Sequence, residues 1–215
     1  MNNLLRECFG TLFKFLLNQI HSGALNERSA ITIMKKDKLM LVLRIVQCLQ
    51  GKINFGMTTL KSIPYVLHCC GIDFGLEFKS SQKGPYSLEF NQLCKDWEDE
   101  GLYITQRSGS TKLVNVTNKF DISNLSFTDT EKKISNEIYR AYRKFRNVID
   151  AEMFTLLLDR RVAGVHFKSR YDEDRFSGDM SRLNQVLDDF IEAVRPYIGS
   201  AKSDSRIPLN QIQHI

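Results

Sequence analysis

Residues 102–117 read LYITQRSGSTKLVNVT, and this stretch decides the fold class. β-Branched and aromatic residues dominate both of its ends, 102–105 and 113–117, which favours two short strands. The polar, basic segment 107–112 between them contains Gly109 and predicts the tip of a β-hairpin. Because the other patterned segments of the chain have helical spacing, the sequence predicts an α+β protein that is predominantly helical.

Three helices are predicted before this hairpin. Their ranges, with Thr58 or Thr59 as the cap of the second helix, are 36–50, 58–70 and 88–100. Pro64 should either kink the second helix or lie in its first turn. Three helices followed by a hairpin is the layout of a winged-helix domain, and we therefore place a winged-helix-like domain at 36–120.

Helical segments are also predicted on both sides of this domain. Residues 1–35 form an amphipathic helix at 3–20 and a polar connector, because apolar residues recur there at helical spacing. Residues 121–198 form a C-terminal helical segment, and 199–215 form a polar tail. Within the C-terminal segment, Thr128 and Glu131 have the spacing of a capping box, and two further helices are expected at 151–165 and 180–198.

Composition and charge limit the class of protein. The chain has 215 residues, 42% hydrophobic and 26% charged, which is ordinary for a globular protein. Its net charge is +5, and the excess lies in residues 1–120, which carry 15 basic and 10 acidic side chains. Such an excess is compatible with a nucleic-acid partner without establishing one.

The cysteine count and the apolar runs predict a cytoplasmic protein. Five Cys residues, an odd number, make a poor disulfide framework and indicate a reducing compartment. The first residues lack the uninterrupted apolar run of a secretory signal. The longest apolar stretch, 39–49, is too short to span a bilayer, so no membrane partner is expected.

Residues 60–103 carry a resemblance to a prokaryotic family. A Lys-containing helix ends near a Tyr, a Gly-Ile pair and a Phe follow, and a Gly-Pro-Tyr-Ser turn leads into a helix that ends in Gly. The matching residues are Lys61, Tyr65, Gly71-Ile72, Phe78, Gly84-Pro85-Tyr86-Ser87, Leu93 and Gly101-Leu102. This pattern resembles the Panacea (SocA-like) antitoxin domain and the related YwgA-like proteins.

The resemblance implies a small helical domain with a winged-helix-like core. Members of this family act by binding protein partners, such as a toxin that they neutralise or hand to a protease, and not by catalysis. The implied function is therefore a non-enzymatic protein-interaction module in an antitoxin-like, phage-defence or regulatory assembly. Its partner would be a toxin, a nuclease or another assembly component.

The charge of the helix at 88–100 also favours a protein partner. This helix carries five acidic side chains and one Lys, a net charge of −4. Duplex DNA carries about one negative charge per 1.7 Å of its axis, so an acidic helix would be repelled from it. The turn 84–87 also has a purely structural explanation, in which Pro85 fixes φ and Ser87 caps the helix. The candidate partner-binding residues are Lys83, Tyr86, Glu89, Asp96 and Glu100.

A winged-helix DNA-binding regulator is the alternative. Basic side chains at the start of the helix at 36–50, at the hairpin tip and in the segment 139–146 are its candidate phosphate contacts. These residues are Lys35, Lys36, Lys38, Arg107, Lys112, Arg140, Arg143, Lys144 and Arg146. Each group also has an ordinary explanation as solvated surface charge. The cations at 35–38 would oppose the dipole of a helix that begins there, which suggests a ligand.

These two sets of residues predict a polarised surface, with an acidic helix on one side and basic segments elsewhere.

No cofactor or metal is predicted, because His68, Cys69 and Cys70 lack further ligands at zinc-binding spacing. Core packing explains these three residues better. Enzymatic nucleic-acid processing has no supporting motif. The N-terminal or C-terminal helices could form a homo-oligomer, which the sequence leaves open.

Overall fold

The computed structural model describes residues 27–51, 55–81, 84–109, 111–121, 127–163, 176 and 178–198. The described helices are α1 (Glu27–Leu49), α2 (Met57–Cys69), α3 (Leu88–Asp99), α4 (Asp129–Tyr142), α5 (Val148–Leu158) and α6 (Met180–Ile198), with a π-helical turn at Asp159–Ala163. The strands are β1 (Lys79–Ser81), β2 (Gly84–Tyr86), β3 (Tyr103–Ser108) and β4 (Thr111–Val116). The expected α+β, mostly helical class is confirmed. The predicted helix at 3–20, the tail at 199–215 and Lys83 lie outside the described residues.

The predicted hairpin at 102–117 is confirmed as the antiparallel pair β3–β4. Gly109 in its turn has a φ of +58°, a backbone conformation that glycine adopts without strain. On its other edge β4 meets the segment between α1 and α2, since the Val114 N–H donates to the Phe55 carbonyl at 2.7 Å. Gly56 forms an isolated antiparallel bridge with Leu113. The backbone order across this part of the fold is therefore β3, β4 and Phe55–Gly56.

Helix α3 agrees with its prediction at both ends and along its buried side. The Ser87 side chain caps it by accepting a hydrogen bond from the Phe90 N–H. Gly101, with a φ of +73°, lies just beyond its end. The buried residues are the four expected from the spacing: Phe90, Leu93, Cys94 and Trp97. Tyr103 fixes the helix to β3, because its hydroxyl donates to the Cys94 carbonyl at 2.6 Å.

Helix α1 begins at Glu27, so the predicted start at Lys36 is wrong. The expected boundary between residues 35 and 36 falls inside this helix. Lys35, Lys36 and Lys38 consequently lie in the middle of the helix, where the dipole argument for a nearby ligand does not apply. Polar residues had indicated a connector before Lys36, but helix propensity is a weak preference that tertiary packing overrides.

Two further details of the first half differ from the sequence expectation. Helix α2 begins at Met57 with Gly56 as its N-cap, so neither Thr58 nor Thr59 caps it. Pro64 lies well inside the helix and is buried there. The segment expected to be a turn at 84–87 contains strand β2, which pairs with β1 and places Ser81 opposite Gly84.

The C-terminal helices share one hydrophobic core with the rest of the chain. The predicted capping box is confirmed, since the Thr128 hydroxyl accepts from the Glu131 N–H and the Glu131 carboxylate accepts from the Thr128 N–H. Helix α6 has the predicted bounds, whereas the helix expected at 151–165 changes to a π-helical turn after Leu158. Helix α4 packs on α1 and α6, and α5 packs on α2 and α6.

A chain of aromatic ring contacts, one stacked and two edge-to-face, joins the two halves. Phe55 lies against Tyr142 with 6.0 Å between ring centroids, and Tyr142 meets Phe154 at the same distance. Phe154 in turn meets Phe190 of α6 at 5.4 Å. A single cluster of buried side chains therefore runs from the hairpin side to α6. Among the helices described, none is long and apolar enough to cross a membrane.

Candidate functional site

Helix α3 presents three different polar faces around its buried side. Side chains at i, i+4, i+7 and i+11 point in nearly the same direction, because a helix turns 100° per residue. Leu88, Gln92, Lys95 and Asp99 have this spacing and are all exposed, and we call them the outer stripe of α3. The remaining acidic side chains of the helix face α1 on one flank and the β3–β4 hairpin on the other.

On the flank that faces α1, the acidic side chains of α3 are paired with lysines. Lys35 Nζ lies 2.6 Å from Glu89 Oε1 and also donates to the Gly75 carbonyl at 2.8 Å. Lys36 Nζ lies 3.8 Å from Asp96 Oδ2, a looser contact between two partly exposed groups. Two predicted partner-binding acids thus contact two predicted phosphate-binding lysines.

On the flank that faces the hairpin, Glu98 is held by two donors. The Thr105 hydroxyl donates to Glu98 Oε1 at 2.6 Å, and Lys112 Nζ lies 3.1 Å from the same oxygen. The hydrogen bond from Thr105 is the main reason why the pKa of Glu98 is lowered, and Lys112 adds to it. The hairpin lysine therefore neutralises an acid of the adjacent helix.

These contacts correct the expected polarised surface. The acidic helix and the basic segments face each other across short distances, so their charges largely cancel within the fold. Helix α3 with Glu100 has a net charge of −4, and the three lysines that contact it bring the local sum to about −1. The repulsion that the isolated helix would exert on a phosphate backbone is correspondingly smaller.

The remaining partner-binding candidates are not brought together with these pairs. Tyr86 is half-buried on β2, one residue before the cap of α3. Glu100 is exposed just beyond the end of α3, and its backbone N–H donates to the Asp96 carbonyl. Leu88 is an apolar residue of the outer stripe that the sequence analysis did not single out. It is 63% exposed.

The basic residues of α4 and the turn after it are mostly engaged as well. Arg140 pairs with Glu137 at 2.7 Å, and Lys144 pairs across to Asp189 of α6 at 2.9 Å. The guanidinium of Arg143 lies over the Tyr139 ring, 5.5 Å from its centroid.

Three of the residues predicted to contact phosphates have exposed side chains that pair with no carboxylate or aromatic ring among the described residues. In the described part of the chain, Lys38, Arg107 and Arg146 make no ion pair. They lie on α1, on β3 and just after α4, so they belong to three different elements rather than to one strip. Of the nine predicted basic residues, these three make neither an ion pair nor a cation–π contact in the described part of the chain, whereas Arg143 has only its contact with the Tyr139 ring there.

In the His68-Cys69-Cys70 segment the two cysteines belong to the core, and His68 is half-buried beside them. Both cysteines are buried, and burial raises the pKa of each thiol. Burial lowers the pKa of His68, and the charge of Asp73 offsets this in part. Among the residues that the structure describes, no three His, Cys, Asp or Glu side chains are grouped as metal ligands would be. Core packing accounts for the segment.

A buried pair that sequence reasoning did not find lies beside this segment. The Tyr65 hydroxyl donates to the carboxylate of Asp159, which is fully buried at the start of the π-helical turn. Burial is the main cause of a raised pKa of Tyr65, with further contributions from Cys69 and from the hydrogen bond to Asp159. The two residues are 94 positions apart, and no local pattern in either segment signals the contact.

Lys35 provides a test of the contact between α1 and α3. Lys35→Ala should lower the free energy of unfolding by about 1–2 kcal/mol, because it removes a charge-assisted hydrogen bond to Glu89 and a second one to the Gly75 carbonyl. Urea denaturation measures the change. Lys38→Ala is the matched control on the same helix and should change stability by less than about 0.5 kcal/mol. Equal losses in the two variants would contradict the role of Lys35.

Comparisons of the chain with protein-family models, curated proteins and solved structures gave no match.

Proposed function

We propose that this chain is a non-enzymatic protein-interaction module of an antitoxin-like, phage-defence or regulatory assembly. The outer stripe of α3 is the observation that carries the proposal. It combines an exposed leucine with one Lys and one Asp, so its own charge sums to zero. A protein surface accommodates such a mixture, whereas a duplex binds chiefly through Lys and Arg. The type of assembly rests on the Panacea-like resemblance over residues 60–103.

The proposal includes a winged-helix arrangement of the first part of the fold. Its support is the backbone order β3, β4 and Phe55–Gly56, in which a short segment between the first two helices pairs with the hairpin. In such an arrangement α3 would be the helix that normally enters the major groove of DNA. The protein-interaction proposal assigns the same exposed helix to a protein partner.

Photo-crosslinking in the cells that make this chain tests the proposal. A photo-crosslinking amino acid in place of Gln92, at the centre of the outer stripe, should give a discrete protein adduct. The same amino acid in place of Asn136, an exposed position on α4, is the matched control and should give none. The adduct should also disappear when Leu88→Asp and Asp99→Lys are introduced together, because both change the stripe without touching the buried side.

A nucleic-acid adduct at Gln92, or no adduct there, would contradict the proposal. A protein adduct that survives the double substitution at Leu88 and Asp99 would contradict it too, since the stripe would then not determine binding.

The second candidate function is a DNA-binding regulator, which the three unpaired cations Lys38, Arg107 and Arg146 favour. Fluorescence anisotropy with a labelled duplex of about three helical turns, at ~50 and ~200 mM salt, separates it from the first. The protein-interaction proposal predicts no binding at either salt concentration. Binding that weakens steeply with salt and is reduced by Arg107→Ala would support the regulator instead.

A further inference from the structure

A groove lies between α4 and α6, away from the outer stripe of α3. Its volume is about 410 Å³, within the range of roughly 300–1,000 Å³ that is usual for ligand sites. Its walls are the last turns of α4 and the middle of α6, two helices that pack directly on each other. Because both walls are regular helices, the groove is a preformed feature of the fold.

The floor of the groove is apolar. Ala141 from α4 and Val186 and Phe190 from α6 line it, and all three are buried within the core. Phe190 is fixed from behind by an edge-to-face contact with Phe154. Each of the three residues is only 3–4% exposed, so the floor offers a small hydrocarbon surface that suits contact with one aliphatic side chain.

The rim of the groove is cationic on its α4 side. Arg140, Arg143 and Lys144 line it, against the two carboxylates of Glu137 and Asp189. Each carboxylate already has one cation, at 2.7 Å for Glu137 and 2.9 Å for Asp189. Arg143 is the cation left over.

Arg143 therefore gives the groove its preference for an anion. Its guanidinium rests over the Tyr139 ring and has no carboxylate partner in the described part of the chain. A guanidinium presents paired N–H donors that match the two oxygens of a carboxylate. Lys144 and Asp189 are both about half exposed, so their ion pair is weak and open to a competing ion, whereas Glu137 is only 18% exposed.

From this arrangement we infer that the α4–α6 groove binds an acidic, partly apolar segment of a partner protein. One aliphatic side chain of that segment contacts the exposed parts of Ala141, Val186 and Phe190, and a carboxylate binds Arg143. A nucleic-acid backbone fits less well, because its sugars and phosphates offer no aliphatic side chain for the apolar floor. This inference goes beyond the proposed function, because it concerns a second surface and holds whether or not the outer stripe of α3 binds anything.

The test uses the full chain and a labelled peptide. The probe is a fluorescein-labelled amphipathic peptide of about 12 residues, roughly three helical turns, with Leu at helical spacing and Glu between. Fluorescence anisotropy should show saturable binding. A peptide with Gln in place of every Glu should bind at least about tenfold more weakly, and the Lys version should bind more weakly still.

Two variants of the chain should shift the affinity for the Glu peptide in opposite directions. Arg143→Gln should weaken binding by about tenfold, because it removes the free guanidinium. Asp189→Asn should strengthen binding, because Lys144 then has no internal carboxylate to compete with the peptide. Loss of folding cannot produce a gain in affinity, so the second variant separates binding from stability. Arg107→Gln, an exposed arginine on β3, is the matched control and should have no effect.

Three results would overturn the inference. They are no binding of the Glu peptide up to about 1 mM, equal affinity for the Glu and Lys peptides, and affinity unaffected by Arg143→Gln. Tighter binding of a single-stranded oligonucleotide than of the Glu peptide, with the same dependence on Arg143, would assign the groove to nucleic acid instead. None of these results bears on crosslinking at Gln92, so this inference and the proposed function fail independently.

Discussion

Arg182→Ala should lower the free energy of unfolding by about 3 kcal/mol, because it leaves a buried carboxylate without its cation. Asp150 is 2% exposed at the start of α5, and Arg182 Nη2 of α6 lies 2.6 Å from its Oδ2. The same guanidinium donates to the Lys144 carbonyl, just after α4. One side chain therefore joins three helices, and its loss should shift the urea-denaturation midpoint markedly.

Arg195→Ala is the matched control for this prediction. Arg195 lies on the same helix and pairs only with Glu192, three residues earlier, where both side chains are largely exposed. Its removal should cost less than about 1 kcal/mol, the usual value of an exposed ion pair. Similar losses from the two variants would show that the buried pair contributes no more than an ordinary surface contact. The double variant Asp150→Ala with Arg182→Ala should recover part of the loss, because no uncompensated charge remains.

Tyr65→Phe should lower the free energy of unfolding by about 2–3 kcal/mol. The substitution removes one oxygen and opens no significant cavity, so the loss reports the contacts of the hydroxyl, which are the hydrogen bond to Asp159 and an interaction with Cys69. Asp159 is 0% exposed, and a buried charged acceptor that loses a donor costs more than a neutral one. Thermal and urea denaturation followed by circular dichroism measure the change.

Tyr142→Phe is a closely matched control for Tyr65→Phe. Tyr142 is also fully buried, but its hydroxyl makes no hydrogen bond among the described residues. The neighbouring hydroxyls of Ser62 and Thr155 donate to backbone carbonyls instead. Removing the Tyr142 hydroxyl should therefore be neutral or slightly stabilising. If both variants lost the same stability, the contact between Tyr65 and Asp159 would have no special role.

Local patterns predicted the elements well where one side of a segment is buried and its ends carry specific caps. The spacing of Phe90, Leu93, Cys94 and Trp97 identified α3, and Ser87 and Gly101 marked its ends. Both signals depend on residues within a few positions of one another, so tertiary contacts are not needed to read them. The hairpin β3–β4 and the capping box of α4 were predicted for the same reason.

The same reasoning failed where packing overrides local preference. Residues 27–35, which include the end of the expected polar connector, are helical in α1, because a helix continues through weakly unfavourable residues once its other turns are packed. The π-helical turn after Leu158 places Asp159 beside Tyr65, a contact that exists only when α5 packs on α2. No signal in the sequence of either segment indicates it.

The candidate sites divide in the same way. Sequence alone determined which elements carry the charged residues and that α3 has an exposed side. Tertiary structure decided where those charges point, since Lys35 and Glu89 are 54 positions apart and meet only in the folded chain. A charged side chain is either paired within the fold or available to a partner, and this depends on which faces of the helices and strands lie against each other. Periodicity predicts a face, but only the packing of helices selects the neighbour of that face.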